Sequence, residues 1–120
     1  MKEDNIKKMK YLDAVFKETL RAYSPSANLL FRKATRDHHL NNLLIEKDVL
    51  VTPLLLANQY SSKKYENPFS FNPERWIKED GSMRNPEPFT WLAFSAGHRV
   101  CIGRQIAENE MKIIVIKMVK

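Results

Sequence analysis

The sequence predicts a mainly α chain carrying short β-strands, and three observations predict it. Near the start an apolar stripe recurs at three- and four-residue spacing, through Leu12, Val15, Phe16, Thr19, Leu20 and Tyr23. A second helical pattern follows Gly103, through Ile106, Ile113, Ile114 and Ile116. Between them the apolar residues fall in runs of three: Leu29-Leu30-Phe31, Leu43-Leu44-Ile45 and Val49-Leu50-Val51. Polar turn material such as Arg36-Asp37 and Glu46-Lys47-Asp48 separates these runs, as it separates short strands.

Taken in chain order, the first helix spans residues 1–23, beginning at about Lys2. Ser24-Pro25 closes it, because proline disfavours the helical conformation in the residue before it. Residues 28–57 read as short strands. Residues 58–93 hold four of the six prolines and both tryptophans, the composition of a long irregular meander with a helical turn in it. A loop of that length in a compact domain is uncommon and usually functional. Residues 94–103 form a glycine-bearing loop, and residues 104–120 form the closing helix. That helix reaches Lys120 with no glycine or proline to stop it, and the first begins almost at Met1. The expectation is a chain incomplete at both ends.

Composition bounds the chemistry. A length of 120 residues permits one modest domain or part of a larger one. A hydrophobic fraction of 43% argues against disorder. A single cysteine excludes an intramolecular disulfide framework and any cysteine-rich zinc site. The net charge of +6 invites a nucleic-acid reading, but the excess is spread as +2, +1 and +3 over residues 1–23, 24–93 and 94–120. Nucleic-acid modules concentrate their charge in a stripe with interleaved aromatics, so no nucleic acid is expected as partner. The Met1 end is lysine-rich and lacks the apolar segment of a signal peptide. The longest apolar stretches, Leu54 to Ala57 and Ile113 to Ile116, fall far short of the ~20 residues a spanning helix needs.

The most specific segment is Phe94-Ser95-Ala96-Gly97-His98-Arg99-Val100-Cys101-Ile102-Gly103. Cys101 lies just before the closing helix, where free backbone N–H groups and the positive end of the helix dipole favour a thiolate. The segment fits F-x-x-G-x-R-x-C-x-G and resembles the cysteine-ligand loop of the cytochrome P450 family. The resemblance implies Cys101 as axial ligand of a haem b iron, where a thiolate pushes electron density that favours O–O cleavage. It implies that Arg99 bonds a haem propionate and that Phe94 shields the thiolate from water. Gly97 would permit a turn closed to a side chain, and Gly103 a close approach of the helix to the macrocycle. A lone cysteine is ordinarily a small buried hydrophobe; the four surrounding matches favour the ligand reading. His98 falls at a variable position of the motif and reads as a partly exposed surface residue.

Further motifs agree in order. Glu18-Thr19-Leu20-Arg21 places a carboxylate and a guanidinium on one helical face, a pair that by itself reads as a solvated bridge. It is similar to the E-x-x-R of the helix that the family calls K, and Phe71-Asn72-Pro73-Glu74-Arg75-Trp76 resembles the P-E-R-F segment. The resemblance implies a buried triad of Glu18, Arg21 and Arg75 with a structural role. Arg32 sits where a strand often supplies a second propionate-binding arginine; the alternative is a surface arginine. Residues 94–103 would then be followed by the family's helix L. The chain departs from the pattern at Ile45-Glu46-Lys47-Asp48, at Gln59 where histidine is frequent, and at Ala93 where proline is usual.

The fold thus implied is the C-terminal portion of the cytochrome P450 fold. The function implied is a haem-thiolate monooxygenase that inserts one atom of O2 into a small lipophilic organic substrate. Its electrons would come from an acidic flavin or iron–sulfur donor, met by Arg99, Arg104 and Lys112. The oxygen-activating helix and most of the substrate pocket would precede residue 1, leaving Ser26 to Leu30 as a pocket rim. The isolated chain is therefore expected neither to hold haem tightly nor to turn over. Any N-terminal membrane anchor would also lie upstream, with the full-length protein on the cytosolic face of the endoplasmic reticulum. Two other readings stay open. One is a haem-thiolate peroxide isomerase or dehydratase that needs no O2. The other is a non-catalytic basic binding domain using Lys7, Lys8, Lys10, Lys63 and Lys64.

Overall fold

A computed structural model describes residues 9–25 and 30–119. Helix α1 runs Lys10–Ala22 and its last turn is closed by the Tyr23 amide donating to the Thr19 carbonyl at 2.7 Å. Lys2 to Lys8, Ser26 to Leu29 and Lys120 lie outside the described residues. The apolar stripe of α1 is only half-buried, and Tyr23 is exposed. The fully buried face is Ala14, Glu18 and Arg21, one helical ridge at spacings of four and three. A charged pair at the most buried positions is the reverse of an ordinary amphipathic helix.

Four short strands follow. Strand β1 (Arg32–Lys33) pairs antiparallel with β4 (Leu50–Val51), matching Arg32 with Val51. Strand β2 (His38–Leu40) pairs with β3 (Leu43–Ile45) through a two-residue turn in which Asn41 takes φ 52°. That angle is left-handed, and asparagine is among the few side chains that tolerate it. Leu30 and Phe31 lie outside the strand, whose pairing begins at Arg32. The sequence reading also missed β2, because His38-His39-Leu40 lacks an apolar alternation. Helix α2 (Leu55–Gln59) replaces the end of the expected strand region, which corrects the 28–57 boundary. A short apolar run such as Leu54 to Ala57 cannot separate strand from helix by period alone.

The meander contains one 3₁₀ turn, Pro73–Trp76, opened by proline at its first position and by the Asn72 side chain accepting from the Glu74 amide at 3.0 Å. This turn packs on α1, and the core forms there: Ala14, Tyr65 and Trp76, flanked by Ile77, Met83 and Trp91. A second 3₁₀ turn, Gly97–Arg99, leads through Cys101 to helix α3 (Arg104–Met118). None of the described residues of α3 is fully buried, and Ile106, Ile113, Ile114 and Met118 are exposed. Among the described residues no helix is long and apolar enough to cross a membrane.

Candidate functional site

Two constellations stand back to back, a buried charge network and an open cysteine loop. The network is built on α1. Glu18 and Arg21 are both completely buried and joined by two bonds, Arg21 Nε to Oε2 at 3.0 Å and Nη2 to Oε1 at 2.9 Å. Arg75 Nε donates to Glu18 Oε1 at 3.0 Å, so the structure brings all three expected members together. Two more donors close on the same carboxylate: the Asn72 amide at 3.0 Å and the Trp76 indole N–H at 2.9 Å. Arg21 Nη1 is in turn held by the carbonyls of Gln59 at 2.9 Å and Pro68 at 2.8 Å. Burial of Glu18 pushes its pKa up, but the hydrogen bonds from Arg21, Asn72, Trp76 and Arg75 outweigh this and leave it below its ordinary value.

The Asn72 and Trp76 contacts were missed by sequence reasoning, which saw only the charges. The signal for Trp76 was present: an indole N–H beside P-E-R in a buried segment needs an acceptor. Gln59 shows the opposite case. Its side chain is fully buried, and its Nε2 and Oε1 have no partner among the described residues.

The cysteine loop is set by backbone conformation. Ser95 at φ 63° and Gly97 at φ 69° both occupy the left-handed region. These reversals let the Cys101 amide donate to the Phe94 carbonyl at 2.9 Å, closing the loop on itself. Cys101 is exposed and free. A side chain at Gly97 would meet nothing within 4 Å, so only its φ demands glycine. A methyl at Gly103 would stand 3.9 Å from Cys101 Sγ, an ordinary contact.

Cys101 lies on an open cleft of about 280 Å³ with Leu20, Leu30, Leu55, Leu92 and Phe94, and Arg99 is on the same wall. One accessible sulfur donor, apolar walls and one guanidinium are the donor set that a haem edge and its propionates require. The residues present fit the group. Arg32 is exposed on β1 with Nη1 donating to the Phe31 carbonyl at 2.8 Å, and it is not among the residues lining this cleft. His98 is exposed.

Of the three cations expected to meet an electron donor, two are engaged within the chain. Lys112 pairs with Asp13, and Arg104 pairs with Glu108 at 2.8 Å while its guanidinium lies 5.7 Å from the Trp91 ring and 5.6 Å from that of Phe94. Lys17, under Trp76 and bonded to the Arg84 carbonyl, has its pKa lowered by burial against the partly opposing pull of Asp13. Among the lysines of the basic-domain reading, Lys10 donates to the Gly81 carbonyl at 3.1 Å and Lys64 bonds Asn58. Lys7 and Lys8 lie outside the described residues.

The chain is similar to known proteins along its whole length. A family profile described as Cytochrome P450 matches residues 1–120. Cytochrome P450 6B7 of Helicoverpa armigera is 39% identical over 96% of this chain and 23% of its own length. The probable cytochrome P450 12d1 proximal, mitochondrial, of Drosophila melanogaster is 37% identical over 100% of the chain and 23% of its own length. Cytochrome P450 3A15 of Cavia porcellus is 35% identical over 98% and 23%. The chain thus spans about a quarter of the length of the curated relatives it matches. It belongs to the cytochrome P450 family.

Proposed function

We propose that the chain is the proximal part of a haem-thiolate monooxygenase, with Cys101 as the axial ligand of the iron. The observation that carries this reading is the exposed Cys101 on the apolar cleft, just ahead of α3 and held by the Phe94 carbonyl. When bound, the haem supplies oxygen activation for insertion of one oxygen atom into an organic substrate. The chain's own residues do the rest. Cys101 supplies the sulfur donor, and the Arg104 amide at the start of α3 donates to its carbonyl at 3.3 Å. With the haem in place, Phe94 would screen that sulfur from water, which tunes its potential. Arg99 holds a propionate by a charge-assisted bond; Arg32 would do so only on leaving the Phe31 carbonyl. Gly97 supplies the left-handed turn, and Gly103 keeps the space beside the sulfur open. Glu18, Arg21 and Arg75 lock the scaffold behind the loop without touching substrate.

Within this reading the substrate is a small lipophilic molecule, and the electron donor is an acidic flavin or iron–sulfur protein. With Arg104 and Lys112 internally paired and Arg99 committed to a propionate, little positive charge is left to steer that donor, so attraction is weak and salt-sensitive. The compartment proposed is the endoplasmic reticulum; the relative named mitochondrial marks the alternative.

The test places this chain in a full-length relative, in exchange for the matching segment. The reduced carbon monoxide complex should show the red-shifted Soret band of thiolate ligation, lost in Cys101→His. A chimera that binds haem without that band, or keeps it in Cys101→His, would refute the reading.

A further inference from the structure

We infer that Trp91 is a positioning residue for Cys101, joining the cysteine loop to the buried charge network. The inference rests on the reading of Cys101 as the iron ligand. Trp91 is half-buried and packed against the core. Its indole Nε1 donates to the Lys17 carbonyl at 3.1 Å, on α1 immediately before Glu18. One side of its ring meets Trp76 edge-on, with centroids 6.5 Å apart and planes at 69°. Trp76 itself donates to Glu18, so this contact leads directly into the network. Trp91 also meets Phe94 at 6.1 Å and 66°, and the Phe94 carbonyl is the acceptor of the Cys101 amide.

Arg104 completes the arrangement. Its guanidinium faces both Trp91 and Phe94, and Glu108 holds it at 2.8 Å from the next turn of α3. Trp91 therefore touches three elements around Cys101: the helix carrying the network, the residue that bonds the Cys101 amide, and the first residue of α3. The loop it supports contains Ser95, a non-glycine residue in the left-handed region. Such a conformation persists only where surrounding contacts over-determine it. The loop's other bonds are short-range backbone ones, Ser95 to Leu92, Val100 to Gly97 and Arg104 to Cys101, and residues 96 to 102 are exposed. A loop held this thinly moves its sulfur when the supporting ring is removed.

The experiment compares Trp91→Ala, Trp91→Phe and Ile45→Ala in the haem-loaded, full-length protein. Ile45 is buried on β3 and belongs to neither the aromatic row nor the charge network, so it serves as a control for general destabilisation. Two readouts are taken: hydrogen exchange of the Cys101 amide, and the split of the reduced carbon monoxide Soret band between thiolate and thiol positions. Trp91→Ala should speed Cys101 exchange about tenfold and move intensity to the thiol position. Trp91→Phe, which keeps a ring but loses the N–H, should shift both readouts the same way by less, and it decides the matter if Trp91→Ala does not fold. Ile45→Ala should lower the unfolding midpoint and leave both readouts unchanged. Trp91 variants that move neither readout, or an Ile45→Ala that moves both equally, would overturn the inference. A wild-type protein with no thiolate band would sink the ligand reading instead, while Cys101 exchange would still decide the positioning role.

Discussion

At Glu18 a single carboxylate accepts from two arginines, one indole and one backbone amide, and this concentration makes its removal expensive. Glu18→Ala leaves the Arg21 guanidinium fully buried with only carbonyls for company, and the Trp76 N–H without an acceptor. The expected loss is about 3–5 kcal/mol, read from the urea midpoint at unchanged slope. Because the folded-state pKa lies below its ordinary value of 4.5, Glu18 contributes stability fully present above its unfolded pKa. That contribution is lost as pH falls through the depressed folded value. The stability gap between wild type and Glu18→Gln should therefore be constant near neutrality and shrink below that ordinary value. A gap independent of pH would contradict the account. At Gln59 the sign reverses: two buried amide atoms lack partners among the described residues, and Gln59→Met keeps the length without the polar atoms. That variant should gain about 1–3 kcal/mol of stability, read as a higher unfolding midpoint.

Among the elements, the cysteine loop depends on backbone sign more than on side-chain contact. Gly97→Ala meets no atom, so its cost is that of holding alanine at φ 69°, about 1–2 kcal/mol by thermal or urea unfolding. A much larger loss would mean that the space beside Gly97 is occupied in the folded protein. The loop motif was legible in the sequence through its resemblance to a familiar segment, since its glycines, arginine and cysteine all fall within ten residues. The triad was half legible: spacing showed Glu18 and Arg21 on one face, and Arg75 entered by resemblance to a familiar segment. What stayed hidden depends on long-range approach. The Asn72 amide, the Pro68 carbonyl and the Trp91 to Lys17 bond join residues 50 or more apart or carry no side-chain signature. Helix α2 and strand β2 were hidden for a local reason, since five- and three-residue elements are too short to display a period.

For the whole molecule, the distribution of burial fits its place within a larger fold. The core is confined to the contact of α1 with the meander, while α3 leaves Ile106, Ile113, Ile114 and Met118 exposed. The charge network, the aromatic row from Tyr65 through Trp76 and Trp91 to Phe94, and the Cys101 loop run in one direction across that core. Structure and chemistry are thereby divided, with buried charge fixing the frame and one exposed sulfur facing the cleft. The claim at the centre is that this sulfur binds iron, and iron-edge X-ray absorption on the haem-loaded full-length protein tests it most directly. One sulfur scatterer should be bound to iron in the wild type and absent in Cys101→Ser; an iron with no sulfur neighbour in the wild type, or an unchanged spectrum in the variant, would contradict it.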